Sequence, residues 1–195
     1  MRLITCDLCP DARVSGTSGG ARSTEKGESA EHPRRYGLPA MALPGPLFDE
    51  RELLLAWLQF LREAVLRKAE GLDEDQVRWR PGARLISIAG IVNHLAHVEW
   101  RWIDGTLRGE PVSRSEEEFD VPGDRPFADV AAAYRSRWAR TDEIVRGADL
   151  ADTCRHPKHP DINLRWVLLH LIEETARHAG HADATRELLD GTTGV

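Results

Sequence analysis

The sequence predicts an all-α protein, a four-helix bundle with long inter-helix connections and a weakly structured N-terminal extension. Three observations point there. Four segments of ~20 or more residues carry apolar side chains at three- and four-residue steps, the period of a helix with one buried face. No stretch alternates apolar and polar residues as a half-buried strand would. From Leu47 onward the composition is rich in Ala, Leu, Arg and Glu, residues that lose little on entering a helix. Amphipathic helices that are not apolar all round bury their stripes most simply against one another.

The first helix is expected from about Phe48 to Glu70, with Leu53, Leu54, Trp57, Leu58, Leu61, Val65 and Leu66 as its apolar side and Gly71 as its stop. A second starts at Ser87, a residue whose hydroxyl suits an N-cap. It carries Ile88, Ile91, Val92, Leu95, Val98 and Trp102 before Gly105 or Gly109 ends it. A third runs from Pro126, acceptable in a first turn, to Arg146, with Val130, Ala133, Tyr134, Trp138 and Ile144 expected inside. The fourth spans Asn163 to Asp190 and stops at Gly191. Its apolar side comprises Leu164, Val167, Leu168, Leu171, Thr175, Ala182 and Leu189. The connections, about 14 to 17 residues each, are long enough at ~3.3 Å per residue to cross a ~30 Å helix, so helix order and direction stay open.

Residues 1–45 are expected to be a disordered or weakly structured extension, and 46–195 the bundle. The first part holds Gly-Thr-Ser-Gly-Gly at 16–20, a polar run from Ser23 to Glu31 and four prolines at 33, 39, 44 and 46 around its end, with no sustained apolar period. Cys6-x-x-Cys9 lies there without the second pair of a zinc ribbon or the strand context of a redox motif.

Charge narrows the partners. Of the formal −6, about +1 falls in residues 1–45 and about −7 in the remainder, so the bundle is acidic and a poor ligand for phosphate backbones. No nucleic acid is expected. No apolar run approaches the ~20 residues of a membrane span, and the first residues lack an apolar signal core, so a cytoplasmic protein with no membrane partner is expected. Three cysteines make no disulfide framework, which agrees with a reducing compartment.

The chemistry concentrates on the fourth helix, in His170-Leu-Ile-Glu-Glu174-Thr-Ala-Arg-His178-Ala-Gly-His181-Ala-Asp183. Glu174 and His178, four apart, share a face within or beside the apolar stripe, where a carboxylate and an imidazole reach one ion. A buried ionised carboxylate needs a partner, and a cation would supply it. The competing reading pairs Glu174 with Arg165 or Arg177 on a solvated edge. On the second helix, His94 projects ~90° from the centre of the apolar face and His97 ~150°, which makes His94 the inward candidate. His94, Glu174 and His178 then form a two-His, one-carboxylate set with positions left for water or substrate. His170 and His181 share the flank and leave the ligand choice ambiguous.

Weaker candidates remain. His181 and His97 are candidate proton shuttles, with surface placement the simpler account. Arg78 and Arg80, beside Trp79, are candidates for binding an anionic cofactor, against ordinary surface charge. Cys154, His156 and His159 fall in a proline-containing loop, and Glu116-Glu-Glu-Phe-Asp120 is expected to be a solvated linker. The tryptophans within the helices are expected to be core or pocket wall.

Two motifs carry a family resemblance. Trp79-Arg-Pro81-Gly followed by Ser-Ile-Ala-Gly-Ile-Val-Asn-His94-Leu-Ala-His-Val-Glu-Trp-Arg-Trp, and Leu164-Arg-Trp-Val-Leu-Leu-His-Leu-Ile-Glu-Glu174-Thr-Ala-Arg-His178-Ala-Gly-His-Ala-Asp, resemble the DinB/YfiT-like superfamily over about residues 47–191. The match is to the branch that includes mycothiol-dependent maleylpyruvate isomerase. The resemblance implies a DinB-like bundle and a divalent metal, zinc first and nickel second. One His from the second helix and two ligands four apart on the fourth would hold it, here His94, Glu174 and His178. Many relatives have His where this chain has Glu174, and the carboxylate lowers the net charge of the site by one unit. Members with an assigned activity are similar to S-transferases of mycothiol, bacillithiol or glutathione. The expected function is therefore a metal-dependent transferase of low-molecular-weight thiols, with mycothiol as cosubstrate, an electrophilic small molecule as partner, and a homodimer allowed. Two alternatives stand beside it: a non-catalytic bundle whose polar residues fix register, dimerise the protein or hold a structural metal, and a metal-dependent hydrolase.

Overall fold

A computed structural model describes residues 42–83 and 85–193, all within one compact unit. The expected extension, with Cys6 and Cys9, lies outside the described residues apart from its last few positions. The described residues are helical, without a strand; the one bridge, Thr153 to Asn163, is isolated.

Helix α1 is Glu50–Arg67, a short α2 is Glu74–Arg78, α3 is Ile88–Trp100, α4 is Phe127–Arg146 and α5 is Leu164–Asp190. The four long helices are those the periodicity predicts. Asp49 caps α1 by accepting from the Glu52 N–H, and Phe48, expected inside the helix, is fully exposed before it. The Ser87 Oγ accepts from the Gly90 N–H, Asn163 caps α5 by accepting from Trp166 N, and Gly191 leaves α5 with φ 75. Each such side-chain cap satisfies an orphan donor and contributes about 1 kcal/mol. Inside α4, Ala131 is buried and Ala133, expected inside, is exposed, while Val130, Tyr134, Trp138 and Val145 face inward.

Two features lie outside the periodic reading. Asp73 and Gln76 form a reciprocal capping box that starts α2 within the first connection. After Trp100 the chain continues as a π-helical turn, Arg101–Leu107, which changes the register so that Ile103, Asp104 and Leu107 all face inward. Gly105 permits this packing, since a Cβ there would lie 2.5 Å from Val112 Cγ2.

Helix α1 packs on α5, α3 packs on both α4 and α5, and α4 closes back on α1. The apolar core falls into two main clusters. One gathers Leu58, Val98, Ile103, Val145, Leu164, Leu168 and Leu171; the other gathers Val65, Ile91, Val92, Leu95, Tyr134, Trp138, Ala179 and Ala182. Fully burying each such Leu or Ile contributes about 1.5–3 kcal/mol. On three long helices buried polar residues stand between members of the two clusters: Arg62 on α1, Thr141 on α4, and Glu174, Thr175 and His178 on α5; on α3 the buried polar residues include His94, among members of the second cluster, and Glu99, just after Val98.

Candidate metal centre

The buried polar residues include the three singled out from the sequence. His94 is 2 % exposed and Glu174 and His178 are each 6 % exposed, and one ligand atom from each lies within 4.8 Å of the others. Glu174 Oε1 is 3.4 Å from His178 Nε2 and 3.8 Å from His94 Nε2. Those separations are long for hydrogen bonds and close to the ~3.3 Å that separates ligand atoms held ~2.0–2.1 Å from one tetrahedral ion. The Nδ1 of His178 is buried without a hydrogen-bond partner, and two imidazoles with one carboxylate make a donor set suited to zinc or nickel. The residues present therefore fit a divalent cation. No other group of three metal-competent side chains comes together among the described residues.

Electrostatics favours the metal-ready protonation states. Burial pushes the His178 imidazole below the usual histidine range, which keeps it neutral and able to donate a lone pair. The His178 and then the His94 imidazoles hold the Glu174 carboxyl well below the usual carboxylate range, against the opposing effect of burial. Arg177 contributes at the rim, with Nη1 3.4 Å from Glu174 Oε2. Of the two arginines offered as rivals to a metal, Arg165 is bound to Glu50 at 2.6 Å and Arg177 is divided between Glu173 and Glu174.

The linker expected to be solvated supplies the residue that sequence reasoning missed. Residues Glu116–Phe119 form a 3-10 turn on α3, and Glu118 is 3 % exposed. His94 Nδ1 lies 3.1 Å from Glu118 Oε1, so an Nδ1–H donates to the carboxylate and leaves Nε2 facing Glu174. Phe119 stacks on the His94 ring at 4.3 Å and 24°. Arg101 also binds the Glu118 carboxylate, and Asn93 Nδ2 donates to the Glu118 carbonyl at 2.8 Å. Burial by itself would raise the Glu118 carboxyl, but the bonds from His94 and Arg101 outweigh it and hold it at about 2. One signal was available in the sequence. Gly90 sits inside α3, where glycine costs about 1 kcal/mol, and a Cβ there would come 2.4 Å from the Phe119 carbonyl oxygen. Glycine is what allows the turn to lie on the helix.

The remaining candidates are placed as follows. The His181 ring stands 5.3 Å from that of His178, edge to face, beside the centre. His97 is half-buried away from it, with Nδ1 2.8 Å from the Asn93 carbonyl oxygen. Arg78 donates to the carbonyls of Val121, Pro122 and Arg125, and Arg80 to that of Phe119 and to Asp120, so both guanidiniums bind the connection that ends α3 to α4. Cys154 is buried in an apolar cluster, its thiol pushed up by burial, and is not drawn into a site with His156 and His159. His170 packs among tryptophans and stands apart from the triad.

Comparison with known families gives a match over residues 53–191 to a family described as Mycothiol-S-transferase, a span that includes all three candidate ligands and Glu118. The chain belongs to the mycothiol-S-transferase family. Membership in the DinB/YfiT-like, mycothiol-related superfamily, read from the motifs around His94 and Glu174, is thereby shown. A comparison with curated proteins found no match. In this mycothiol-S-transferase-family bundle, no helix among the described residues is long and apolar enough to cross a membrane.

Proposed function

We propose that this protein is a divalent-metal-dependent transferase of low-molecular-weight thiols, with mycothiol as the thiol and His94, Glu174 and His178 as the metal ligands. The observation that carries the reading is the buried convergence of these three donors, in a spacing that suits one ion better than mutual hydrogen bonds. A zinc or nickel ion bound there would favour the thiolate of an incoming thiol by lowering its pKa, and only the thiolate attacks. Among the described residues the cysteine, Cys154, is buried and its thiol is pushed up rather than activated, which supports an external source for the sulfur.

The protein's own groups hold the site in shape. Glu118 holds the His94 ring by Nδ1, and Phe119 covers its face. The near-complete burial of the three ligands keeps bulk water from their inner side. In the transfer, the thiol loses its proton and its sulfur bonds to the electrophilic carbon of a small molecule, whose leaving group departs with the bonding pair. His181, whose ring stands 5.3 Å from that of His178, is the imidazole we assign to take that proton, whereas His97 is committed to a backbone carbonyl. The cytoplasm, where small thiols are kept reduced, is the fitting compartment.

Metal analysis of the purified protein tests the site. One divalent ion per chain, lost in Glu174→Ala and in His178→Ala, is expected. Turnover of electrophilic substrates should then require added mycothiol. A protein that purifies without stoichiometric metal and takes up none would leave the non-catalytic bundle, and turnover independent of thiol would leave the hydrolase.

A further inference from the structure

A second feature of α5 is unused by that mechanism. Trp166, His170, Glu174 and His178 are spaced four apart and form one row along the helix. At ~1.5 Å per residue, His170 lies about 6 Å and Trp166 about 12 Å along the axis from Glu174. The Trp166 and His170 rings stack at 5.4 Å and 13°, and Trp102, from the π-helical turn, packs against them at 5.4 and 4.3 Å. His159 adds a ring 5.7 Å from Trp102. The pile is not closed over, because Trp166 is 38 % exposed and Trp102, His170 and His159 are half-buried.

We propose that Trp102, Trp166 and His170 form a shelf that binds the sugar portion of the thiol cosubstrate, next to the metal ligands on the same helix. The proposal rests on the thiol reading above. Flat aromatic faces are electron-rich and attract the C–H-lined faces of saturated rings, while indole and imidazole N–H groups bond hydroxyls. Burial lowers the affinity of both His170 and His159 for a proton, so the surface suits an uncharged, hydroxyl-rich ligand. Mycothiol has that form: an acetylated cysteine in amide linkage to a glucosamine that carries inositol. Five bonds separate its sulfur from the glucosamine ring, about 6 Å when extended, the rise from Glu174 to His170. The inositol then extends toward Trp166. A planar aromatic electrophile would also stack, but it would leave the imidazole N–H groups without hydroxyl partners.

Calorimetric titration separates these possibilities. Zinc-loaded protein is titrated with mycothiol and with N-acetylcysteine, which keeps the sulfur and lacks the sugars; metal-free protein is titrated with glucosaminyl-inositol alone. Wild type is expected to bind mycothiol roughly tenfold or more tightly than N-acetylcysteine, and Trp166→Ala to remove threefold to tenfold of that gap, the size of one aromatic contact. Trp166→Phe should restore most of it, and circular dichroism should be unchanged in both because the side chain is at the surface. Equal affinity for the two thiols in wild type, or a gap untouched by Trp166→Ala, overturns the shelf. So does a Trp166→Ala effect confined to the KM of an aromatic electrophile. If neither thiol binds the zinc-loaded protein, the thiol reading fails; binding of glucosaminyl-inositol to the metal-free protein, weakened by Trp166→Ala, would still support the sugar shelf by itself.

Discussion

Two buried carboxylates of the bundle, Glu99 and Glu174, are balanced in different ways. Glu99 is met by Arg62, which is wholly buried and binds it through two parallel bonds of 2.8 and 2.7 Å. The third arm of the guanidinium reaches Asp142 at 2.9 Å, and its face lies over the Trp138 ring at 5.7 Å. That cluster carries its own cation and is complete. Glu174 faces two imidazoles, one with a buried unpartnered nitrogen, and its guanidinium contact, from Arg177, is at the rim. Glu99 is thus neutralised by a fixed side chain, whereas Glu174 would be neutralised by an exchangeable ion if the proposed metal binds. Only the second arrangement would leave ligand positions for a substrate.

The largest expected effect comes from breaking the complete cluster. Arg62→Met leaves Glu99 buried without its cation, and urea unfolding should show a loss of about 3–5 kcal/mol; Arg62→Met combined with Glu99→Leu should recover much of it. Stability of that cluster should not respond to chelators.

The metal cluster should respond. Unfolding in the presence of free zinc at 100 times its Kd should give about 2.7 kcal/mol more stability than in chelator, and Glu174→Ala should abolish the difference. An equal response in wild type and Glu174→Ala would break the contrast between the two carboxylates.

A smaller effect sharpens the role of the missed residue. Glu118→Ala should weaken zinc binding about 10- to 100-fold in a competition titration, by freeing the His94 ring, while the Arg62 cluster stays intact. A further effect is on acid stability. The Glu118 carboxyl is held at about 2 in the fold against an ordinary value of 4.5. The proton therefore binds the unfolded chain first, so this contribution is fully present above about pH 4.5 and is lost as pH falls toward 2. Metal-free Glu118→Gln should show a shallower fall in stability across that window, measured by urea unfolding at successive pH values.

Much of the metal centre was legible because it lies on helices. The 3.6-residue period places Glu174 and His178 on one face and ranks His94 over His97, and the family resemblance joins the two segments. Arg62 was not legible: an arginine between Leu61 and Glu63 reads as part of a polar face, and its burial depends on Glu99 and Asp142, 37 and 80 residues away. Glu118 was hidden for the same reason, since a glutamate in an acidic run has no periodic signature. The π-helical turn likewise has no local mark beyond Gly105, whose need for smallness comes from Val112.

By itself, the sequence determined the four long helices, most of their buried faces, the N-cap at Ser87, the stop at Gly191, and the residues able to ligate a metal. These follow from interactions within a few residues of one another, which a linear pattern records. Tertiary structure decided which polar side chains are sealed inside, that Glu118 holds His94, and that Trp102 leans on Trp166 and His170. Those outcomes depend on contacts between distant segments, and the cost of burying a charge or ring is met only when the partner from another element arrives.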